Sequence, residues 1–547
     1  MRFPFALALA ALELLEDALL AAGRRGSTRW LIPVVTVAMC LVVVSADALA
    51  VGARNRLGRA EVEVGAPTVL HLDTEDLATV VAAVRTADPA GAHVTPVAII
   101  DPVSADQGAT IGVVPDAFRR LALWPGADPG GWAWDRLTAP ETPPLRLTGT
   151  RITYRLTAPE FTSATPDLLK VPDALEVAIN VVGADGRLQA IPIGALPRRG
   201  ADAPRSATIP CQDTCRIAGL GVLAPQGSTP VTGEVSLTEV HVDGRGIDLG
   251  DSRSWTPTTV DGTDLAGEAR SGGLTLRFSN GGVDQAFLPH ASMPAVVPTL
   301  TTPADRPSAA GATYAGSYLD GETMMQVARG DVPFVPGGPD KASLVNLDNL
   351  LAQGWRGRGA ATVLVYADSI DPAILAPVTA RLADAGVHVT ETRHPGPVAQ
   401  AYGRSAAAWS LGLAFAVGGF AVLVAAVGVI VLAVTSWRAR TRDYAGLRLA
   451  GTRARSLAVL AQLETLPVIL VSAGAGAAAG LWAAPPAVAM MPMFTSPPPT
   501  YLIDLHTAWL PALAAAAAGL AVLLLVGALA GRPVATRSDV SRLRDSA

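Results

Sequence analysis

Lysine is almost missing from this chain of 547 residues. Lys170 and Lys341 are the only two, so arginine supplies the other 40 of the 42 basic residues. A phosphate-cradling P-loop needs a lysine followed by serine or threonine. Here the two lysines are followed by Val171 and Ala342, which excludes that nucleotide site from the chain. The seven histidines are scattered, with no HExxH or His-x-His spacing, so no metal site and no metal cofactor are expected. No G-x-S-x-G elbow marks a serine nucleophile, and no catalytic residue is assigned. Charge is sparse as well: 16% of residues are charged, the net charge is −5, and the arginines are dispersed, which argues against nucleic acid as a partner. Half of the residues are apolar, too many for an average soluble protein and too few for one lying wholly in the membrane. A membrane part joined to a large aqueous part fits both values.

Cysteine occurs three times. Cys40 lies inside an apolar run and reads as an inert membrane residue. Cys211 and Cys215 stand four apart in Pro210-Cys211-Gln212-Asp213-Thr214-Cys215. Tetrahedral zinc wants four ligands, and this pair has no further cysteine or nearby histidine to complete them. In an oxidising compartment the two would close a small disulfide loop, pinning a turn between two strands.

Four apolar runs organise the rest. Residues 30–52 form the first, long enough to cross about 30 Å of hydrocarbon. Residues 1–29 before it carry Leu12, Leu15 and Leu19 at helical spacing opposite Glu13, Glu16 and Asp17, which suits an amphipathic helix on a membrane surface rather than a signal peptide. Asp47 near the far end of the run reads as an interfacial acid within reach of headgroups, the sharper alternative being a functional intramembrane carboxylate. The other three runs cover 409–435, 457–484 and 508–530. Between the first and second runs lies a polar block of some 350 residues. Its ends, 53–144 and 293–405, read as strand–helix–strand pieces that could complete one α+β layer from both sides of an insertion, with 293–313 as a connector. The stretch 145–292 alternates apolar and polar residues between Gly/Pro/Asp turns, the pattern of a β-sandwich. Asp73, Glu75 and Asp76 precede a helical run and suit its cap and first turn.

The segment 436–456 joins the second and third apolar runs and carries six arginines between Arg438 and Arg455. By the positive-inside rule it faces the cytoplasm. The loop 485–507, without Lys or Arg, then lies outside; the tail 531–547, with four arginines, lies inside; and the large block is extracytoplasmic. Arg54, Arg56 and Arg59 are the one basic group that this topology leaves on the wrong side. Tyr444, Leu447, Arg448 and Gly451 recur at i, i+3, i+4 and i+7, one stripe on a helix. Such a loop either sets topology alone or touches a cytoplasmic partner or lipid headgroups.

The run from Arg440 through Arg442, Asp443, Tyr444, Leu447, Arg448 and Gly451 to Thr452, followed by Glu464, resembles the signature of FtsX-like (MacB-like) ABC transporter permeases. One span, a large external domain and three further spans agree with that family. Asp443 stands where the family commonly has Glu, and many such permeases carry two four-span units where this chain has one. The resemblance implies a four-helix membrane part plus an extracytoplasmic α+β domain with an inserted β-sandwich, in a multi-pass plasma-membrane protein with both termini cytoplasmic. It implies a transmembrane subunit that binds no cofactor of its own. A separate ABC ATPase, holding ATP and magnesium, would dock on Arg438, Arg440, Arg442, Asp443, Tyr444, Leu447, Arg448 and Gly451. Membrane lipids and a second permease, identical or different, would be the other partners, and the output would be export or mechanical signalling. The competing reading is a membrane-anchored extracellular protein that binds carbohydrate or a cell-wall ligand without transport.

Overall fold

A computed structural model of the chain describes residues 29–536, apart from 159–161, 164–174, 197–199, 202, 224–230, 251, 261–262, 271–272, 281–284, 308, 310, 320–322, 355–360, 450–451, 453, 497 and 499. The surface helix expected over 1–29 and most of the tail 531–547 lie outside the described residues. The helices, in chain order, are α1 (Leu31–Val64), α2 (Leu77–Ala87), α3 (Pro115–Leu121), α4 (Leu347–Gln353), α5 (Pro372–Asp384), α6 (Pro395–Gly403), α7 (Ala406–Leu449), α8 (Ala454–Ala489) and α9 (Trp509–Thr536). Two units result: a membrane unit, made of the chain up to Arg59, Gly396–Pro498 and the chain from Leu502, and a polar unit centred on Ala60–Pro395.

In the membrane unit α1, α7, α8 and α9 are each long and apolar enough to cross a bilayer. Lipid offers no partners for bare backbone, so these apolar runs have no alternative to helix. α1 is the hub. Its Leu31, Val35, Met39 and Val43 are buried against Val422 and Val429 of α7, Ile469 of α8 and Leu523 of α9. Small residues allow the close approach: a Cβ on Gly476 or Gly480 of α8 would meet the carbonyls of Thr36 or Cys40, and one on Gly418 of α7 would meet the backbone of Val42. Large side chains such as Trp409, Leu413 and Phe420 stand exposed on α7, as lipid-facing residues do.

The polar unit begins with a nine-stranded sheet in the order Thr313–Ser317, Thr323–Asp331, Val297–Thr301, Ala342–Asn346, Ala109–Val113, Val94–Ile100, Ala361–Ala367, Thr68–Leu72, Val389–Arg393. Thr68–Leu72 and Val94–Ile100, joined by α2, do not touch each other. The late strand Ala361–Ala367 lies between them, antiparallel to both. The strands flanking α5 are split in the same way by Thr68–Leu72. Two split βαβ pieces thus interlock into a ferredoxin-like plait, one from each end of the polar block. α2 and α5 cover one face, with Val80, Val81 and Val84 packed with Val378 and Leu382. The other face carries an aromatic cluster: Phe118 stacks on Tyr366 at 5.7 Å, and Trp124, Trp134 and Phe334 pack around it. Asp76 caps α2 as expected, accepting the Thr79 amide at 3.1 Å. The stretch 293–313 is more than a connector, because Val297–Thr301 is an interior strand of this sheet. Its Pro and Thr content hid it, though Val297 and Leu300 are fully buried.

Among the described residues the insertion, 146–289, is one antiparallel sheet of twelve strands that folds over on itself. Arg146–Ala158 shows the period-2 burial of a half-covered strand, with Ile152, Tyr154, Leu156 and Ala158 inward. Leu288 in one layer lies where a Cβ on Gly267 of the other would reach, beside the buried Trp255. Cys211 and Cys215 are joined as a disulfide with Cα atoms 5.0 Å apart. The bond spans a bulge within the single strand Arg205–Leu223, and not a turn between two strands. The register is the reason: Cys215 pairs Leu147 and Cys211 pairs Gly149, so five residues stand opposite three.

Candidate functional site

The basic stretch does not form a separate helix over 436–456. α7 runs unbroken through it to Leu449, and α8 begins at Ala454. No proline stands between Ser436 and Leu449, and the alanines, arginines and leucines there favour a helix enough to carry it through Gly446. At 1.5 Å per residue the 44 residues of α7 measure about 66 Å, roughly twice the hydrocarbon thickness. α7 therefore projects well beyond its apolar segment. Its end is closed by the Thr452 amide donating to the Leu447 carbonyl at 3.2 Å, the six-residue closure that commonly ends helices near a glycine. Arg438, Arg440, Arg442, Asp443, Tyr444, Leu447 and Arg448 all fall on this projecting part of α7, and the Leu447 side chain is exposed. Gly451, placed with them on one helical stripe by its spacing, follows the last residue of α7 and lies outside the described residues.

A second polar constellation sits at the opposite end of the apolar part of α1. Asp47, Val51, Asn55 and Arg59 recur every four residues and share one face of that helix. Asp47, 1% exposed, accepts the Ala508 amide at 2.6 Å. That amide is one of the unpaired donors at the start of α9, so the carboxylate serves as its cap and meets the positive end of its dipole. Asn55 is fully buried. Its amide nitrogen donates to the Asp504 carbonyl at 2.8 Å while its oxygen accepts the Asp504 amide at 2.7 Å, so one side chain mimics a paired strand. Arg54 adds an ion pair with the Asp504 carboxylate at 2.9 Å and a bond to the His506 carbonyl. Arg59 donates to the Ser496 carbonyl at 2.9 Å and lies over the rings of Tyr402 and Phe494, 4.6 and 4.9 Å from their centroids. The arginines that seemed misplaced for the topology, Arg54 and Arg59, are thus spent on holding the α8–α9 loop and α6 against α1. Arg56 is buried beside them, and its Nη1 has no hydrogen-bond partner among the described residues.

Residues 415–538 match the family model of the FtsX-like permease C-terminal region. This part of the chain is an FtsX-like permease domain. No curated protein matches the chain. The permease match begins within α7 and runs past the end of α9, taking in the projecting basic end of α7, α8 and the Asp504 loop. Proteins of this permease family are non-enzymatic membrane subunits of ABC transporters and work with a cytoplasmic ABC ATPase. α1 and Tyr402, which complete the second constellation, lie outside the matched residues. The sequence did carry a signal for that constellation: polar residues at spacing four where an apolar run ends. Its partners Phe494, Ser496, Asp504 and His506 carried none. Among the described residues no cluster of His, Cys, Asp or Glu could hold a metal ion.

The Asp504 carboxylate in the permease loop carries a testable pH dependence. Burial opposes its charge, but hydrogen bonds from the His506 amide and ring, together with the Arg54 charge, outweigh burial and hold its pKa below the ordinary aspartate value of 3.8. A depressed pKa means a contribution that is complete above 3.8 and lost as the pH falls through the folded-state value. Amide exchange at His506, whose N–H is bonded to Asp504 Oδ1 at 2.9 Å, is expected to stay protected at pH 5. Protection should fall in acid below the ordinary aspartate range. Loss already above pH 5 would refute the assignment.

Proposed function

We propose that the chain couples ATP hydrolysis in a separate, cytoplasmic ATPase to its polar unit on the opposite side of the membrane. The single observation that carries this reading is the permease domain over 415–538, within which α7 projects its arginine-rich end beyond the apolar segment. With that end in the cytoplasm, both termini are cytoplasmic and the polar unit is extracytoplasmic. ATP and magnesium bind to the partner chain, which docks on Arg438, Arg440, Arg442, Asp443, Tyr444, Leu447 and Arg448. Closure of the ATPase moves α7. The bundle transmits that movement through α1, the helix on which the other three pack and which continues to Val64. Mechanical transmission of this kind needs no hydrophilic pore, and it serves export or signalling equally. Two permease chains, identical or different, would pair to meet a two-fold ATPase.

Co-expression with a cytoplasmic ABC ATPase from the same genome tests the docking. The native chain is expected to co-purify with it, and the triple variant Arg440→Glu, Arg442→Glu, Arg448→Glu is expected to lose at least nine-tenths of the bound ATPase. Undiminished capture by the triple variant sinks the docking assignment.

A further inference from the structure

The polar unit contains a cleft of about 530 Å³ between the α2 edge of the plait and the twelve-stranded insertion. That volume lies within the range of small-molecule sites. Leu77, Val81, Pro143 and Leu350 supply apolar wall. Three arginines line it as well: Arg85, and the pair Arg146 and Arg216, which are direct cross-strand neighbours in the antiparallel register. Like charges set opposite each other on neighbouring strands oppose folding, so the pairing calls for a counter-charge. Among the described residues neither guanidinium has a hydrogen-bond or ion-pair partner, although the Asp348 charge is felt at Arg216. The one carboxylate among the described lining residues, Asp348, is already bonded to Arg85 at 2.8 Å. Arg216 is half-buried, and burial works against its charge. Its position is tightly set. Cys215 precedes it and is tied to Cys211 across the bulge, while Val182 pairs it on the other side. Two guanidinium forks on paired strands over an apolar wall match anion oxygens joined to a hydrocarbon body.

We propose that this cleft is a binding site for an amphiphilic anion, with Arg146 and Arg216 holding a phosphate or carboxylate and the wall around Leu77, Val81 and Leu350 holding the apolar part. The site is independent of the ATPase docking, and its test involves no ATPase.

The test is calorimetric titration of the full chain in nanodiscs of zwitterionic lipid, with empty nanodiscs subtracted. The probes are octyl phosphate, octanoate, inorganic phosphate and octyltrimethylammonium. Octyl phosphate or octanoate is expected to bind saturably at one site per chain, the tighter of the two identifying the head group. Inorganic phosphate is expected to bind at least about tenfold more weakly, and the cation not at all. Arg146→Gln and Arg216→Gln should each weaken the amphiphile by about ten- to a hundredfold, the effect of a lost charge-assisted hydrogen bond. Arg277→Gln, on the surface and paired with Glu234 and Glu268, should change nothing. Arg146 is exposed on its strand, so its variant decides the matter even if Arg216→Gln does not fold. The proposal is overturned by absence of saturable binding, by unchanged affinity in Arg146→Gln, by equal binding of inorganic phosphate and octyl phosphate, or by comparable binding of the cation.

Discussion

Asn55→Ala is expected to destabilise the membrane unit by as much as roughly 2–5 kcal/mol, because it strips partners from both the amide and the carbonyl of Asp504, at about 1–2.5 kcal/mol for each orphaned group. The side chain is fully buried and also donates to the Val51 carbonyl at 2.8 Å, so water has no easy route to replace it. The damage should stay local. Hydrogen exchange in the loop 490–508 should accelerate by about one and a half to four orders of magnitude, at about 1.4 kcal/mol per tenfold, while exchange in the twelve-stranded sheet should not change. Asn55→Asp separates the two bonds: it still accepts the Asp504 amide but cannot donate to the carbonyl, and it sets a second carboxylate beside Asp504. That variant is expected to be no more stable than Asn55→Ala. Slow, native-like exchange in the loop of either variant would show that Asp47, Arg54 and Arg59 hold the loop without Asn55.

Gly337→Ala should be comparably harmful to the polar unit. Gly337 has φ +76°, a left-handed conformation that costs a residue with a side chain about 1–2 kcal/mol. A Cβ there would also collide with the hydroxyl of Tyr366, which is fully buried and donates to the Pro336 carbonyl at 3.0 Å. Overpacking of this kind costs about 1–3 kcal/mol, for a total on the order of 2–5 kcal/mol. Tyr366 cannot easily yield, since its ring stacks on Phe118. The two contributions can be told apart by a double-mutant cycle. In a Tyr366→Phe background the collision with the hydroxyl is gone and only the Cζ contact at 3.2 Å is left, so the penalty of Gly337→Ala should fall towards the backbone part. Additive losses in the cycle, read from the thermal unfolding of the polar unit, would rule out the collision.

The layout of the chain was legible in its residues because each signal there is local. An apolar run of sufficient length must be a helix in lipid, a missing lysine–serine pair removes a P-loop wherever the chain folds, and period-2 alternation marks strands of the insertion. The plait was half legible. The strand–helix–strand pieces at both ends could be read, but their interleaving could not, since the strand Ala361–Ala367 enters between two strands nearly 300 residues earlier. The stretch 293–313 went astray for a related reason: Val297–Thr301 is short and contains Pro298, and only its neighbours on both sides make it a strand. At the basic stretch the charges were plain, but continuation of α7 to Leu449 depended on the absence of any break after Ser436, to which a hydropathy profile is blind.

What the sequence determined by itself is therefore the number of long apolar runs, the large polar insertion and the arginine-rich stretch between the second and third runs. Tertiary structure alone decided which polar groups meet. Asn55 and Asp504 are 449 residues apart, and Arg146 and Arg216 become neighbours only through the register of two strands. Hydropathy and propensity add up along the chain, whereas pairing depends on where distant segments come to rest, and no window of neighbouring residues contains that information.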